Sequence, residues 1–234
     1  MRPPKHVLLL RPRATAGPEL GRAVARATSA WRDARRDVVA EVVVHATEAA
    51  PPRLSLVPFR REGFAMVSAR AVPDAIGALR AALAPLGRLE GYLVDETVPR
   101  ARACLEPAGT IADGPALVTL FRQHPRLDRG SFLREWHGHH TPLALEVHPL
   151  AGYVRNVVEE VLDEGAPRWD GIVVETFAAA EDLRSPIRFF GGPRASALHA
   201  VRNALRVGMH ASRFLDLRTI ENHLVTERVL DRAP

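Results

Sequence analysis

The sequence predicts an α+β fold: two ferredoxin-like βαββαβ units packed sheet to sheet as an intramolecular α+β barrel. Three observations predict it. Strand-like and helix-like periodicity alternates as βαββαβ twice along the 234 residues. The closing strand of each run holds Leu-Val-x-Glu-x-Val, at Leu93–Val98 and again at Leu224–Val229. A four-stranded sheet with both helices on one face also leaves an apolar face bare, and a second such sheet in the same chain can cover it.

In the first half, VLLLR at Val7–Arg11 reads as a strand. A helix follows from about Glu19 to Arg35, with Leu20, Val24, Ala27 and Trp31 along one face. Val38–His45 is a β-branched strand and Phe64–Ala69 a shorter one. Pro73–Leu86 is helical through Ile76, Leu79, Leu83 and Leu86, and Gly91–Val98 closes the unit. The second half opens with a strand at Ala116–Arg122 and a helix that Asp128 or Ser131 can cap. Strands at Tyr153–Val161 and Ile172–Phe177, a helix-rich segment from Glu181 to about Val207, and a strand at Asn222–Leu230 complete it. Pro99–Gly114 carries Pro, Gly and Ala without periodicity and reads as a linker. The expected domains are a degenerate half at 1–102, a linker at 103–114 and a half at 115–234 with the better pocket.

Apolar residues make up 47% of the chain, enough for a core in either half. The single cysteine, Cys104, allows no internal disulfide, which suits a reducing cytoplasm. The net charge is +5, but the arginines are interleaved with Asp and Glu, as in RDARRD and RREGF. No aromatic-plus-basic surface stands out, so nucleic acid is not an expected partner. No segment approaches the roughly 18 apolar residues of a membrane span. The apolar run in MRPPKHVLLLRP is cut short by Arg11, so it reads as a strand rather than a signal-peptide core. A cytoplasmic protein without membrane contact is expected.

The densest chemistry lies in FLREWHGHHTPLALEVHPLAGYVRN, Phe132 to Asn156. Helical geometry puts Phe132, Trp136, His139, His140, Leu143 and Val147 on one side. Pro142 cannot donate to the carbonyl of Gly138, so a bend is expected beside the histidines. His140 is the candidate acid/base, because imidazole changes charge near neutral pH; the plainer reading is a buried histidine bonded to backbone. Trp136 is either pocket wall or core. His139 is either a ligand contact or a packing residue. Tyr153 and Asn156 fall on opposite faces of a regular strand, so at most one should face the pocket. Tyr153 could bond a carbonyl or enolate oxygen. An inward Glu175 could orient a histidine or act as a base.

No metal is expected. His137 and His139 diverge by about 160° on a helix, and no H-E-x-x-H, cysteine pair or compact carboxylate cluster appears. Gly191-Gly192-Pro193 lacks the surroundings of a phosphate loop.

The second half resembles the EthD family of the dimeric α+β barrel superfamily. The resemblance rests on Phe132-x-x-x-Trp136-x-x-x-His140-x-Pro142-Leu143, Gly152-Tyr153-x-x-Asn156, Asp170-Gly171-Ile172-x-x-Glu175-x-Phe177 and Phe214-Leu215-Asp216, in that order. The first half departs from it, with Trp31-Arg32 and no histidine in its first helix. Leu183–Ile220 is longer than in a compact member, and RFFGGPR at Arg188–Arg194 reads as an inserted loop whose tip could cover a pocket mouth. The resemblance implies small apolar or aromatic substrates and no metal or organic cofactor. Related proteins include muconolactone isomerase, polyketide cyclases and cofactor-free monooxygenases. The expected function is therefore cofactor-independent acid/base catalysis, of isomerase, cyclase or dehydratase type, on a small aromatic or polyketide-like carbonyl compound. His140 and Tyr153 would be catalytic, with Trp136, His139, Asn156 and Glu175 binding substrate. A non-catalytic small-molecule binder and a cofactor-free monooxygenase are the alternatives, and a homodimer of the fused barrel is left open.

Overall fold

Eight antiparallel strands close into one barrel in the order β1-β3-β2-β8-β5-β7-β6-β4. The computed structural model describes residues 3–13, 17–52, 57–102, 113–192 and 194–231. The first half runs β1 (Lys5–Pro12), α1 (Pro18–Asp33), β2 (Val39–Ala46), β3 (Ala65–Ala71), α2 (Pro73–Leu83) and β4 (Gly87–Arg100). The second runs β5 (Gly114–Phe121), α3 (Arg129–Arg134), a π-helical turn (Glu135–His140), α4 (Thr141–Val147), β6 (Leu150–Val161) and β7 (Gly171–Phe177). It ends with α5 (Ala180–Arg184), α6 (Pro186–Phe189), α7 (Ala197–Phe214) and β8 (Glu221–Asp231).

Both halves have the same spatial strand order, β4-β1-β3-β2 and β8-β5-β7-β6. They meet edge to edge: β2 pairs with β8 and β4 with β6, both antiparallel. Closure satisfies the edge N–H and C=O groups that two separately stacked sheets would leave open. The 14-residue β4 pairs with β1 on one side and β6 on the other. It takes in Pro99 and Arg100, and Gly114 already belongs to β5, so the irregular connection is shorter than Pro99–Gly114. Residues 103–112 of that connection, with Cys104, lie outside the described residues.

Strand alternation sorts the side chains into three cores. Val7, Leu9, Met66, Tyr92, Val118 and Ile172 fill the barrel. On the outside, α1 and α2 cover the first half, with Leu20, Val24, Trp31, Ile76 and Leu79 against Leu8, Val42 and Val67. Trp31 Nε1 ties the two helices together by donating to the Ala75 carbonyl at 2.7 Å. The helices of the second half cover β5, β6 and β7 through Phe132, Trp136, Val147, Phe189 and Phe214. Among the described residues no helix is long and apolar enough to cross a membrane.

Candidate active site

The helix that carries the histidines is built in three pieces. Asp128 caps α3: its Oδ1 accepts from the Ser131 amide at 2.8 Å, and Ser131 Oγ donates to Oδ2 at 2.8 Å. Next comes the π turn, closed by the Thr141 amide on the Trp136 carbonyl. Thr141 Oγ1 donates to the same carbonyl at 3.0 Å. The bend expected at Pro142 thus takes the form of one inserted residue. That residue rotates everything after it by about 100°. The buried row runs Phe132, Trp136, Thr141, Ala144 and Val147.

This shift corrects the placement of His139. It is exposed, off the face of Trp136, and its Nδ1 lies 3.7 Å from Glu135. The three helix histidines diverge: His137 packs on Trp136, His139 meets Glu135, and His140 meets His210 and Phe214.

Behind the bent helix lies a cavity of about 350 Å³, open mouth included. Trp136, His140, Tyr153 and Glu175 all line it, so four expected residues come together. Phe121, Phe214, Thr119, Val173 and Leu215 complete its walls. Trp136 is held edge-on to Phe121, with ring centroids 4.9 Å apart. Gly171 makes room for both rings, since a Cβ there would sit 2.4 Å from Phe121 and 2.7 Å from Trp136. Tyr153 and Glu175 are partners across the β6·β7 ladder. Asn156 is fully buried on the other face of β6, where Nδ2 donates to the Ile172 carbonyl at 3.0 Å. It does not line the cavity, which corrects its expected contact with substrate: alternation along β6 turns it to the face opposite Tyr153.

The electrostatics are those of a dry pocket. Burial lowers His140 from its ordinary value to about 3, and the neighbouring His210 and His148 add to the shift. Burial alone raises Glu175 to about 8. Burial also raises the Tyr153 phenol, helped by the charge of Glu175. At neutral pH His140 is therefore an unprotonated imidazole and Glu175 mainly a protonated carboxyl. His140 Nδ1 lies 3.3 Å from Nδ1 of His210 on α7, and His210 Nε2 lies 3.6 Å from Glu135.

Sequence reasoning missed Thr119, Phe121, Phe214, Leu215 and His210. Alternation along β5 could have found Thr119 and Phe121, which share a face with the core residue Leu117. None of the described residues of Arg188–Arg194 lines this cavity. Pro186–Phe189 forms the short helix α6, with Arg188 N donating to the capping Ser185 Oγ at 3.4 Å. Phe189 and Phe190 are buried against His148, whose Nδ1 lies 2.8 Å from the Phe189 carbonyl oxygen.

The closed barrel with helices outside is a fold that this chain shares with solved structures of low sequence identity. Among solved structures, an anthrone oxidase-like protein superposes with a TM-score of 0.60 at 10% identity, covering 97% of this chain and 90% of that one. A proposed monooxygenase of Fusobacterium nucleatum gives 0.58 at 8% identity, over 99% and 95%. A proposed monooxygenase of Lactobacillus acidophilus gives 0.53 at 6%, over 100% and 98%. No family model matches the sequence. No curated protein is similar to it in sequence.

Proposed function

We propose that the cavity behind the bent helix carries out cofactor-independent proton transfer on a small aromatic or polyketide-like carbonyl compound. The observation that carries this reading is the meeting of an unprotonated His140 and a protonated Glu175 in one aromatic-walled cavity. With the hydrogen of the His140 Nδ1 to His210 Nδ1 contact placed on His140, the Nε2 lone pair of His140 is left for substrate. Nε2 takes a proton from the carbon next to the carbonyl, and Glu175 gives its proton to the carbonyl oxygen. The product is an enol, the common first stage of isomerisation, aldol-type cyclisation and dehydration. Tyr153, beside Glu175, is placed to bond the same oxygen. Charge arriving on His140 is shared with His210, which faces the carboxylate of Glu135.

His140 is partnered by a side chain rather than by backbone, and the rings of Phe189 and Phe190 are spent on His148. Both points favour an enzyme over a passive binder. A cofactor-free monooxygenase is the second reading: the same deprotonation makes an electron-rich carbon that can react with O2. The aromatic walls and the anthrone oxidase-like neighbour favour it. The wider reading takes residues 115–234 as an EthD-like, ferredoxin-like unit and residues 1–102 as its degenerate copy. Their common strand order supports this. Pairing of two fused barrels belongs to the same reading, and native mass spectrometry tests it.

The test is deuterium uptake by a panel of aryl methyl ketones in D2O, read by mass spectrometry with O2 consumption followed in parallel. Catalysed uptake by at least one ketone is expected, reduced about 100-fold or more by His140→Ala. No uptake across the panel, or uptake that survives His140→Ala, contradicts the proton-transfer reading. O2 consumption coupled to uptake selects the monooxygenase.

A further inference from the structure

We infer a second ligand site, inside the barrel and on the opposite face of the sheet, that takes a small organic monocarboxylate. The repeated Leu-Val-x-Glu-x-Val segments lead to it. They lie on β4 and β8, which are diametrically opposite in the eight-stranded order. Glu96 and Glu227, and likewise Val98 and Val229, face one cavity of about 580 Å³ at one end of the barrel, open mouth included.

Its carboxylates are already paired. Glu96 binds Lys5 and Arg70, Arg70 also reaches Glu41 at 3.3 Å, and Glu227 binds Arg102 at 2.8 Å and His45 at 3.0 Å. Arg100 at the rim meets a backbone carbonyl, that of Leu150 at 2.9 Å, and forms no ion pair among the described residues. Among the charged groups that line the cavity, Lys5, Arg100 and Arg102 stand with Glu41, Glu96 and Glu227, and Arg100 is the cation without a carboxylate partner among the described residues, left for an incoming anion.

Two deeply buried polar atoms of residues lining this cavity have no hydrogen-bond partner among the described residues: His45 Nδ1 and Thr176 Oγ1. Their residues are 2% and 4% exposed. A buried polar atom without a partner costs about 1–3 kcal/mol, so such atoms lining one cavity mark a place for a ligand or ordered water. Thr176 offers an O–H. His45, bonded to Glu227 through Nε2, presents its second ring nitrogen, Nδ1, without a partner. Gly152 keeps the Thr176 hydroxyl open to the cavity, since a Cβ there would lie 2.5 Å from it. Val43, Val98, Val154, Val174 and Val229 form an apolar wall beside these groups. One carboxylate on a compact hydrocarbon body matches that lining.

The experiment is isothermal titration of the full chain with benzoate, its neutral analogue benzamide, and acetate. Benzoate should bind one per chain, about tenfold or more tighter than either control. Thr176→Val and Arg100→Gln should each weaken benzoate about tenfold, while Glu175→Gln, in the helix-side cavity, leaves it unchanged. Circular dichroism on each variant excludes misfolding as the cause. Absence of saturable benzoate binding, equal binding of benzamide, or binding lost only in Glu175→Gln overturns the proposal.

Discussion

Tyr153 and Glu175 face each other directly across the β6·β7 ladder, both buried against the bent helix. The pair puts a phenol and a carboxyl side by side in an environment that disfavours the charge of either. Burial raises Glu175 to about 8, and its charge in turn opposes that of Tyr153.

Burial of Glu175 makes stability fall as pH rises from the ordinary carboxylate value to about 8. The unfolded chain loses the Glu175 proton near the ordinary carboxylate value, whereas the folded chain keeps it to about pH 8. Stability from this group is present at acid pH and is lost as pH rises through about 8. Glu175→Gln should therefore gain over the natural chain between pH 5 and 9, by on the order of a few kcal/mol. Urea denaturation at both pH values measures it.

His140 acts at the other end of the scale. Its folded value of about 3 lies below that of an unfolded histidine. As pH falls below about 6.5 the unfolded chain takes up a proton that the folded chain refuses, so stability declines toward acid. His140→Gln should flatten the decline between pH 6.5 and 4 in the same assay.

The π turn has its own dependence on Thr141. The hydroxyl donates to the Trp136 carbonyl and accepts from Arg155 Nη1 at 2.9 Å. Thr141→Val keeps the shape and removes both bonds. A loss of roughly 1–3 kcal/mol is expected from the denaturation midpoint.

The wall behind Trp136 is equally specific. Gly171→Ala would push a methyl into the rings of Phe121 and Trp136. Overpacking of this kind costs roughly 1–3 kcal/mol, and the indole fluorescence should shift with it.

Much of this architecture was legible in the sequence. Alternation and helical spacing marked the strands and the principal helices, and the matching segments at Leu93–Val98 and Leu224–Val229 occupy opposite barrel strands. His140, Trp136, Tyr153 and Glu175 could be grouped because each sits on a face that periodicity fixes. His139 could not be placed, because a π turn breaks the 3.6-residue period from within and leaves no mark in composition. His210 and Phe214 come from α7, more than one element away, and no local pattern records which residues a distant helix presents. The charged barrel end was hidden for a related reason. Glu96, Glu41 and Glu227 alternate with apolar residues as a solvent-facing row would, and only closure turns that row inward.

The most direct measurement is a joint NMR titration, following the Glu175 carboxyl by carbon-13 and the His140 ring by nitrogen-15, with Glu175→Gln and His140→Gln giving the assignments. The account requires Glu175 to hold its proton until about pH 8 and His140 to stay uncharged down to about pH 4. A Glu175 midpoint near the ordinary 4.5, or a His140 midpoint near 6.5, would contradict the acid/base pair on which the proposed function stands.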